Sequence, residues 1–370
     1  MSGQGHHDLS RITIIIPTFE RPRSIERQFE YWTNQGPNVF ILDGSKEPHA
    51  WASSQSGHSN VSYVHDPTSF CKRRLNAGRY VSTEFAILLP DDEFHLRAGL
   101  IDCVRFLDAN PEVIGCAGRV VSFFVDQSRF LGFVSYEDWR RFSDDCVDAK
   151  KRLEFSLPPN KAHKVEFSLF RSAIWKRIFS ESYSIEYSCG FAYERLLNLY
   201  SAVLGRTELI DSALWMRSLE NPPTHSKDVP RLGQNNFVAW ATSGLFQNEV
   251  DRYLQQARGV IREARDLTDE EVDVFAQRFL FGGIRRQMEK ERRNKRRLSR
   301  KVGAVAIRLG PRPLKRLAKR LIPSQHLAFT GWRGEPLARL EERLSEKGIS
   351  FSSQELKVVE ALALKYATSD

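Results

Sequence analysis

The feature that most constrains this chain is an alternation, over its first ninety residues, of short apolar runs with amphipathic stretches. Ile12 to Pro17 (ITIIIP) is rich in β-branched residues and stops at a proline, so it reads as a buried strand. SIERQFEYW follows with helical spacing that puts Ile25, Phe29 and Trp32 on one face. Asn38 to Ser45 (NVFILDGS) is a second buried strand ending in a turn, VSYVHD a third, and SFCKRRLNAGRYV a second helix. Phe85 to Glu93 (FAILLPDDE) is a fourth strand that runs into three acids. Buried strands separated by helices are the pattern of βαβ units, so the predicted class is α/β. The expected architecture is a Rossmann-like, mostly parallel sheet flanked by helices, with a helical C-terminal extension.

Further along, LRAGLIDCVRFL has helical spacing and Val113 to Val125 (VIGCAGRVVSFFV) reads as one or two strands, before a looser charged region from about Ser135 to Lys161. KVEFSLFR reads as a strand, SAIWKRIF and FAYERLLNLYSAVLG as helices, and TELID and ALWMRS as two strands. From about Asn235 the pattern is mainly helical, and TDEEVDVFAQRFL opens with a capping-box signature at Thr268. At 370 residues and 41% hydrophobic the chain is long and apolar enough to bury real cores, which excludes disorder as the main state. Cys71, Cys103, Cys116, Cys146 and Cys189 are odd in number, scattered and without a CxxC pair, as in a cytosolic protein with reduced thiols. The N-terminus lacks the apolar core of a signal peptide, and no window reaches the roughly 18 apolar residues of a spanning helix. The expectation is a soluble chain, attached at most to a membrane surface.

Pro90-Asp91-Asp92-Glu93 is the sharpest motif. In an open α/β sheet ligands bind outside the carboxyl ends of strands, which is where acids directly after FAILL must lie. Adjacent carboxylates repel unless a cation is present, and hard oxygen ligands suit Mg²⁺ or Mn²⁺. The competing reading is an acidic turn at a helix start. With IIIPTFERP (Ile14 to Pro22) ahead of ILDGS (Ile41 to Ser45), and LLPDDE third in order, the sequence resembles the family 2 type of GT-A glycosyltransferases. The resemblance covers roughly Arg11 to His225 and is strongest up to Glu93.

That resemblance implies a GT-A fold and a nucleotide-diphosphate sugar donor, a UDP-sugar first among them, lying against Pro17, Thr18, Glu20, Arg21 and Asp43. Asp43 would accept a hydrogen bond from the base, although before Gly44 it equally suits a turn-forming Asx residue. Asp91 and Asp92 fall on the donor side. A divalent Mg²⁺ or Mn²⁺ on Asp92 and Glu93 would stabilise the leaving diphosphate, with Glu93 in place of the commoner Asp. Arg73 or Arg74, on the helix ahead of the acidic segment, would approach the donor phosphates; both also read as part of a solvated basic face. Arg217 is a second candidate for the diphosphate, and His225 a late metal ligand or a solvated loop side chain. Glu194 takes the place of the general base that deprotonates the acceptor in an inverting transfer, with Glu186 as its rival. The histidines His6, His7, His58, His65, His95 and His163 have no zinc spacing, and no P-loop or GxGxxG occurs.

Residues 285–320 carry a net charge of +14 against +9 for the whole chain, so the remainder is slightly acidic. Within this tract Val302, Val305, Ala306 and Leu309 form one apolar stripe and Leu314, Leu317 and Leu321 another. That suits an interfacial helix on an anionic membrane surface, or a solvated helix packed on the main domain. The absence of aromatic residues disfavours nucleic acid. The expected organisation is a flexible N-terminus (1–10), a GT-A domain (11–230), a helical extension (231–284), a basic segment (285–325) and C-terminal helices (326–370). The function so implied is a metal-dependent, inverting glycosyltransferase of bacterial surface-glycan synthesis, cytoplasmic or peripheral on the inner membrane face, acting on a glycan or lipid-linked acceptor. The alternatives are a non-catalytic scaffold that uses the basic tract, or a sugar nucleotidyltransferase, whose Gly-rich first loop PTFERP lacks.

Overall fold

The structure is a computed structural model that describes residues 3–55, 59–139, 148–157, 165–221, 237–264, 266–282, 284 and 334–367. The basic tract, Cys146 and His225 lie outside the described residues. Helix α1 (Gly3–Ser10) leads into β1 (Ile12–Thr18), α2 (Pro22–Trp32), β2 (Asn38–Asp43), α3 (Ala50–Gln55), β3 (Val61–His65), α4 (Phe70–Asn76) and β4 (Phe85–Leu88). β5 (Phe94–His95), α5 (Arg97–Ala109), β6 (Val113–Asp126), β7 (Arg129–Ser135) and α6 (Ala149–Ser156) follow. The chain continues through β8 (Leu169–Arg171), α7 (Ser172–Ser182), α8 (Gly190–Leu204) and β9 (Arg206–Ser218). It closes with α9 (Phe237–Thr242), α10 (Gln247–Ile261), α11 (Asp269–Phe281), α12 (Leu337–Glu346) and α13 (Ser353–Tyr366).

The described strands form one sheet in the order β3-β2-β1-β4-β8-β6-β9-β5, with β7 added on β6. β3, β2, β1 and β4 make a parallel block, β6 and β9 pair in parallel, and β8 joins the two groups antiparallel. The parallel register sets Thr18 beside Asp43 and Asp43 beside His65, while Ile15 pairs with Leu88, so the carboxyl ends of three strands and the start of the acidic turn share one edge. Along β1 the side chains alternate between two cores: Ile12, Ile14 and Ile16 face one, Ile15 the other. That two-sided burial is why the run reads as continuously apolar.

α1, α2, α5, α12 and α13 cover the first face, and α4 and α6 to α11 the second. The charged region hides α6, capped by Asp148 accepting from the Lys151 amide at 2.7 Å. Its Arg152 donates to the carbonyls of Ala202 and Val203, which end α8 without partners within the helix. The capping box at Thr268 is formed with Glu271.

Four expectations change. Residues 3–10 form α1, docked by Leu9 in the core and an Asp8–Arg105 pair at 3.2 Å, in place of a flexible N-terminus. TELID and ALWMRS are one strand, β9, because bulges in its pairing with β6 absorb the irregular stretch between them. KVEFSLFR keeps only Leu169–Arg171 as strand, after a 3₁₀ turn at Val165–Phe167. The C-terminal helices belong to the sheet core: Leu340, Leu344, Leu356 and Val359 are fully buried with Ile12 and Ile14. Among the described residues no helix is long and apolar enough to cross a membrane.

Candidate functional site

The loops that leave β1 and β2 are tied together. The Gly44 amide donates to the Thr18 carbonyl at 3.0 Å, and the Glu20 amide donates to Ser45 Oγ at 2.8 Å. Glu20 has φ +54°, a left-handed turn that aims its carboxylate at the Lys46 amide, 3.2 Å away. Asp43 is 1% exposed; its Oδ1 accepts from the Ser45 amide and hydroxyl, and its Oδ2 from the Tyr63 hydroxyl at 2.6 Å. Burial and the bond to Asp43 push the Tyr63 phenol up to about 12. Asp43 therefore adopts the Asx-turn role, and a nucleotide base would have to share its occupied oxygens. Pro17 is half-buried beside Leu42 in the adjacent strand.

The two arginines of α4 diverge because neighbouring residues on a helix point about 100° apart. Arg73 is buried, donates to the Thr68 carbonyl, and lies where a Cβ on Gly44 would have to sit. Only glycine allows that approach of the guanidinium to the β2 turn. Arg74 donates to Glu166 Oε1 at 2.7 Å and to the Tyr183 hydroxyl, with its guanidinium 4.1 Å from the Phe70 ring centroid. Tyr183 is pushed well up by burial, opposed by Arg74, with Glu166 and Glu194 adding to the rise, so Glu194 on α8 acts on the same cluster. Glu194 is half-buried, whereas its rival Glu186 is exposed.

The acidic segment forms a turn, Glu93 N donating to Pro90 O at 3.2 Å. Buried Gln28 of α2 fixes it by donating to the carbonyls of Asp91 (3.0 Å) and Glu93 (2.7 Å). Asp91, 5% exposed, accepts from Thr18 Oγ1 and from Arg21 Nη1, each at 2.7 Å. Burial pushes the Asp91 carboxyl up, while Arg21 and Thr18 pull it back. Asp92 lies 3.2 Å from the same Arg21 nitrogen and accepts from Asn221 Nδ2 at 2.7 Å. Glu93 accepts from the Trp215 indole instead. Asp91 and Asp92 thus converge on Arg21 while Glu93 turns to Trp215, and among the described residues no group of three His, Cys, Asp or Glu could hold a metal ion. Asp92 and Glu93, expected as a ligand pair, meet different partners here, Asn221 and Trp215.

Trp215 packs at a tilt against Phe167, ring centroids 4.3 Å apart, and Phe167 is next in sequence to Glu166, so the 3₁₀ turn joins the acidic segment to the Arg74 cluster. Arg217 lies 5.6 Å above the Tyr136 ring. Beside the acidic segment, a cleft of about 280 Å³ is lined by Arg21, Arg23, Arg27, Glu220, Asn221 and Tyr366. Sequence reasoning missed Gln28, Tyr63, Glu166, Trp215 and Asn221, which hold the site together from other segments and carry no local motif.

No protein-family model matches the sequence, and no curated protein matches it. Similar solved structures include Staphylococcus aureus TarS residues 1–349 (14% identity, 73% of this chain and 70% of that one, TM-score 0.46). The same fragment in complex with UDP-GlcNAc gives 13% identity, 73% and 71% coverage, and TM-score 0.47. Longer S. aureus TarS gives 14% identity, 70% of this chain and 44% of that one, and TM-score 0.40. At these values the likeness by itself assigns no activity.

Proposed function

We propose that this chain is a glycosyltransferase that moves a sugar from a nucleotide-diphosphate donor, a UDP-sugar first, to a hydroxyl of a glycan or lipid-linked acceptor. The observation that carries the reading is that the three motifs of the resemblance meet at one sheet edge: Thr18 bonds Asp91, Ser45 bonds Glu20, and Arg73 packs on Gly44 beside Asp43. A ligand that spans these strand ends meets backbone amides, buried carboxylates and arginines, groups suited to a nucleotide and its phosphates. Glu194 is the proposed general base, and inversion rests on it. Arg217 and Arg73 are the proposed diphosphate contacts. A divalent ion on Asp92 and Glu93, with His225, would supply Lewis-acid stabilisation of the leaving diphosphate; it requires Glu93 to turn away from Trp215.

Calorimetric titration with UDP, GDP, CDP and dTDP, in Mn²⁺ and again in EDTA, tests the proposal. Binding of one diphosphate that Asp43→Ala and Arg73→Ala weaken at least tenfold is the expected result; no binding of any diphosphate in either condition overturns it. Product stereochemistry by NMR tests Glu194: an α product from an α donor would exclude single displacement. The membrane attachment expected of the basic tract is tested by salt-sensitive sedimentation of the chain with anionic liposomes.

A further inference from the structure

Charge in the acidic turn is balanced from within the chain. A single guanidinium nitrogen of Arg21 spans two carboxylates, 2.7 Å from Asp91 Oδ1 and 3.2 Å from Asp92 Oδ2. Thr18 fills the other oxygen of Asp91, and Asn221 donates to the same Asp92 oxygen that Arg21 meets. Two carboxylates that meet at one nitrogen repel each other unless a positive charge lies between them. Arg21 supplies that charge. It lies against Asp92, one of the two acids on which the resemblance would place a dication.

We propose that Arg21 is the resident cation of the Asp91–Asp92 pair, and that a divalent ion and the Arg21 guanidinium are mutually exclusive occupants of those carboxylate oxygens. Two physical reasons support exclusion. A hard dication needs its oxygens at about 2.0–2.6 Å, and an oxygen that close to the ion has no room for a guanidinium nitrogen lying between the same two acids. The pair with Arg21 still carries one net negative charge, whereas exchange for a dication brings it to zero, so Coulomb attraction for the ion is present but reduced by the arginine already there.

Exchange is feasible for this arginine because its side chain is 30% exposed and lines the open cleft. It can leave towards solvent and carry its charge into water. The inference does not depend on the donor: it concerns an ion and an arginine, and it is tested without nucleotide.

Mn²⁺ binding to the nucleotide-free full chain, counted by the EPR signal of free Mn²⁺, is compared for wild type, Arg21→Gln, Arg21→Lys and Arg21→Gln with Asp92→Asn. Arg21→Gln is expected to bind Mn²⁺ at least tenfold tighter than wild type, Arg21→Lys about as weakly as wild type, and the double variant to lose the gain. Equal affinity of wild type and Arg21→Gln overturns the proposal, as does a gain that survives Asp92→Asn. Should Arg21→Gln fail to fold, Mg²⁺ titration of wild type followed at the guanidinium NMR signal that Arg21→Lys lacks decides instead. A signal that shifts with bound Mg²⁺ supports exchange, and one that stays still while Mg²⁺ binds overturns it. Failure of every diphosphate to bind would refute the transferase reading and leave this result standing.

Discussion

Arg21 and Arg74 both pair with buried acids within one site, yet their surroundings differ. Arg74 meets Glu166, with side-chain exposures of 12% and 9%, donates also to Tyr183, and lies over Phe70. Arg21 meets two acids with one charge, and its own side chain is 30% exposed at a cleft. The first arrangement is closed, and removing either member of the pair costs the other its charge partner in a low-dielectric interior. The second is short of one positive charge and open on one side. Glu166 and Arg74 therefore tie the 3₁₀ turn to α4, whereas Arg21, Asp91 and Asp92 form the part able to exchange partners.

The sharpest way to break that contrast is Glu166→Ala, expected to cost about 3–5 kcal/mol in chemical denaturation because Arg74 loses its charge partner. A loss below about 1 kcal/mol would show that Arg74 is solvated after all.

Next in size is a pH effect at His95, in the strand that directly follows the acidic turn. Its ring is fully buried, with Nε2 2.9 Å from the Leu88 carbonyl, and burial pushes it down to about 4 from an ordinary 6.5. The unfolded chain therefore takes up the proton first as pH falls. Stability present above pH 6.5 is expected to decline by about 3 kcal/mol as pH drops towards 4, at about 1.4 kcal/mol per unit. Denaturation midpoints at pH 7 and pH 4.5 check it, and His95→Gln should flatten that slope.

Tyr63→Phe removes the hydroxyl that Asp43 accepts from and is expected to cost about 1–3 kcal/mol, read as a lowered melting temperature. If it instead changes only nucleotide affinity, Asp43 belongs with the exchangeable half. The smallest effect is expected of Asp92→Asn, within about 1 kcal/mol of wild type, since Arg21 keeps Asp91 and one like-charge repulsion disappears. A loss as large as that of Glu166→Ala would put both pairs in the same class.

Much of the fold was legible locally. The β-branched run at Ile12, the Ile25, Phe29 and Trp32 stripe and the Thr268 capping box are periodic or positional signals confined to a few residues, and each lies where it was expected. The single strand β9 was not legible, because its continuity depends on how β6 accommodates it through bulges. The docked C-terminal helices were not either: α13 places Glu355 to accept from the Arg97 and Ala98 amides, capping α5 from more than 250 residues away. Such a cap leaves no mark in the sequence around Leu96, which has no capping side chain of its own.

For the site, the sequence by itself determined the inventory and the address: apolar runs that must be strands, and acids and turn residues directly after them, which the parallel order brings to one edge. Tertiary structure alone decided the partners. Asp43 turns to Ser45 and Tyr63, Glu93 to Trp215, Arg74 to Glu166, and Arg21 to the two acids 70 and 71 residues away. The physical reason is that hydrophobic periodicity is written in neighbouring residues, whereas the pairing of a buried charge depends on which distant group the packed core leaves within about 3–4 Å of it.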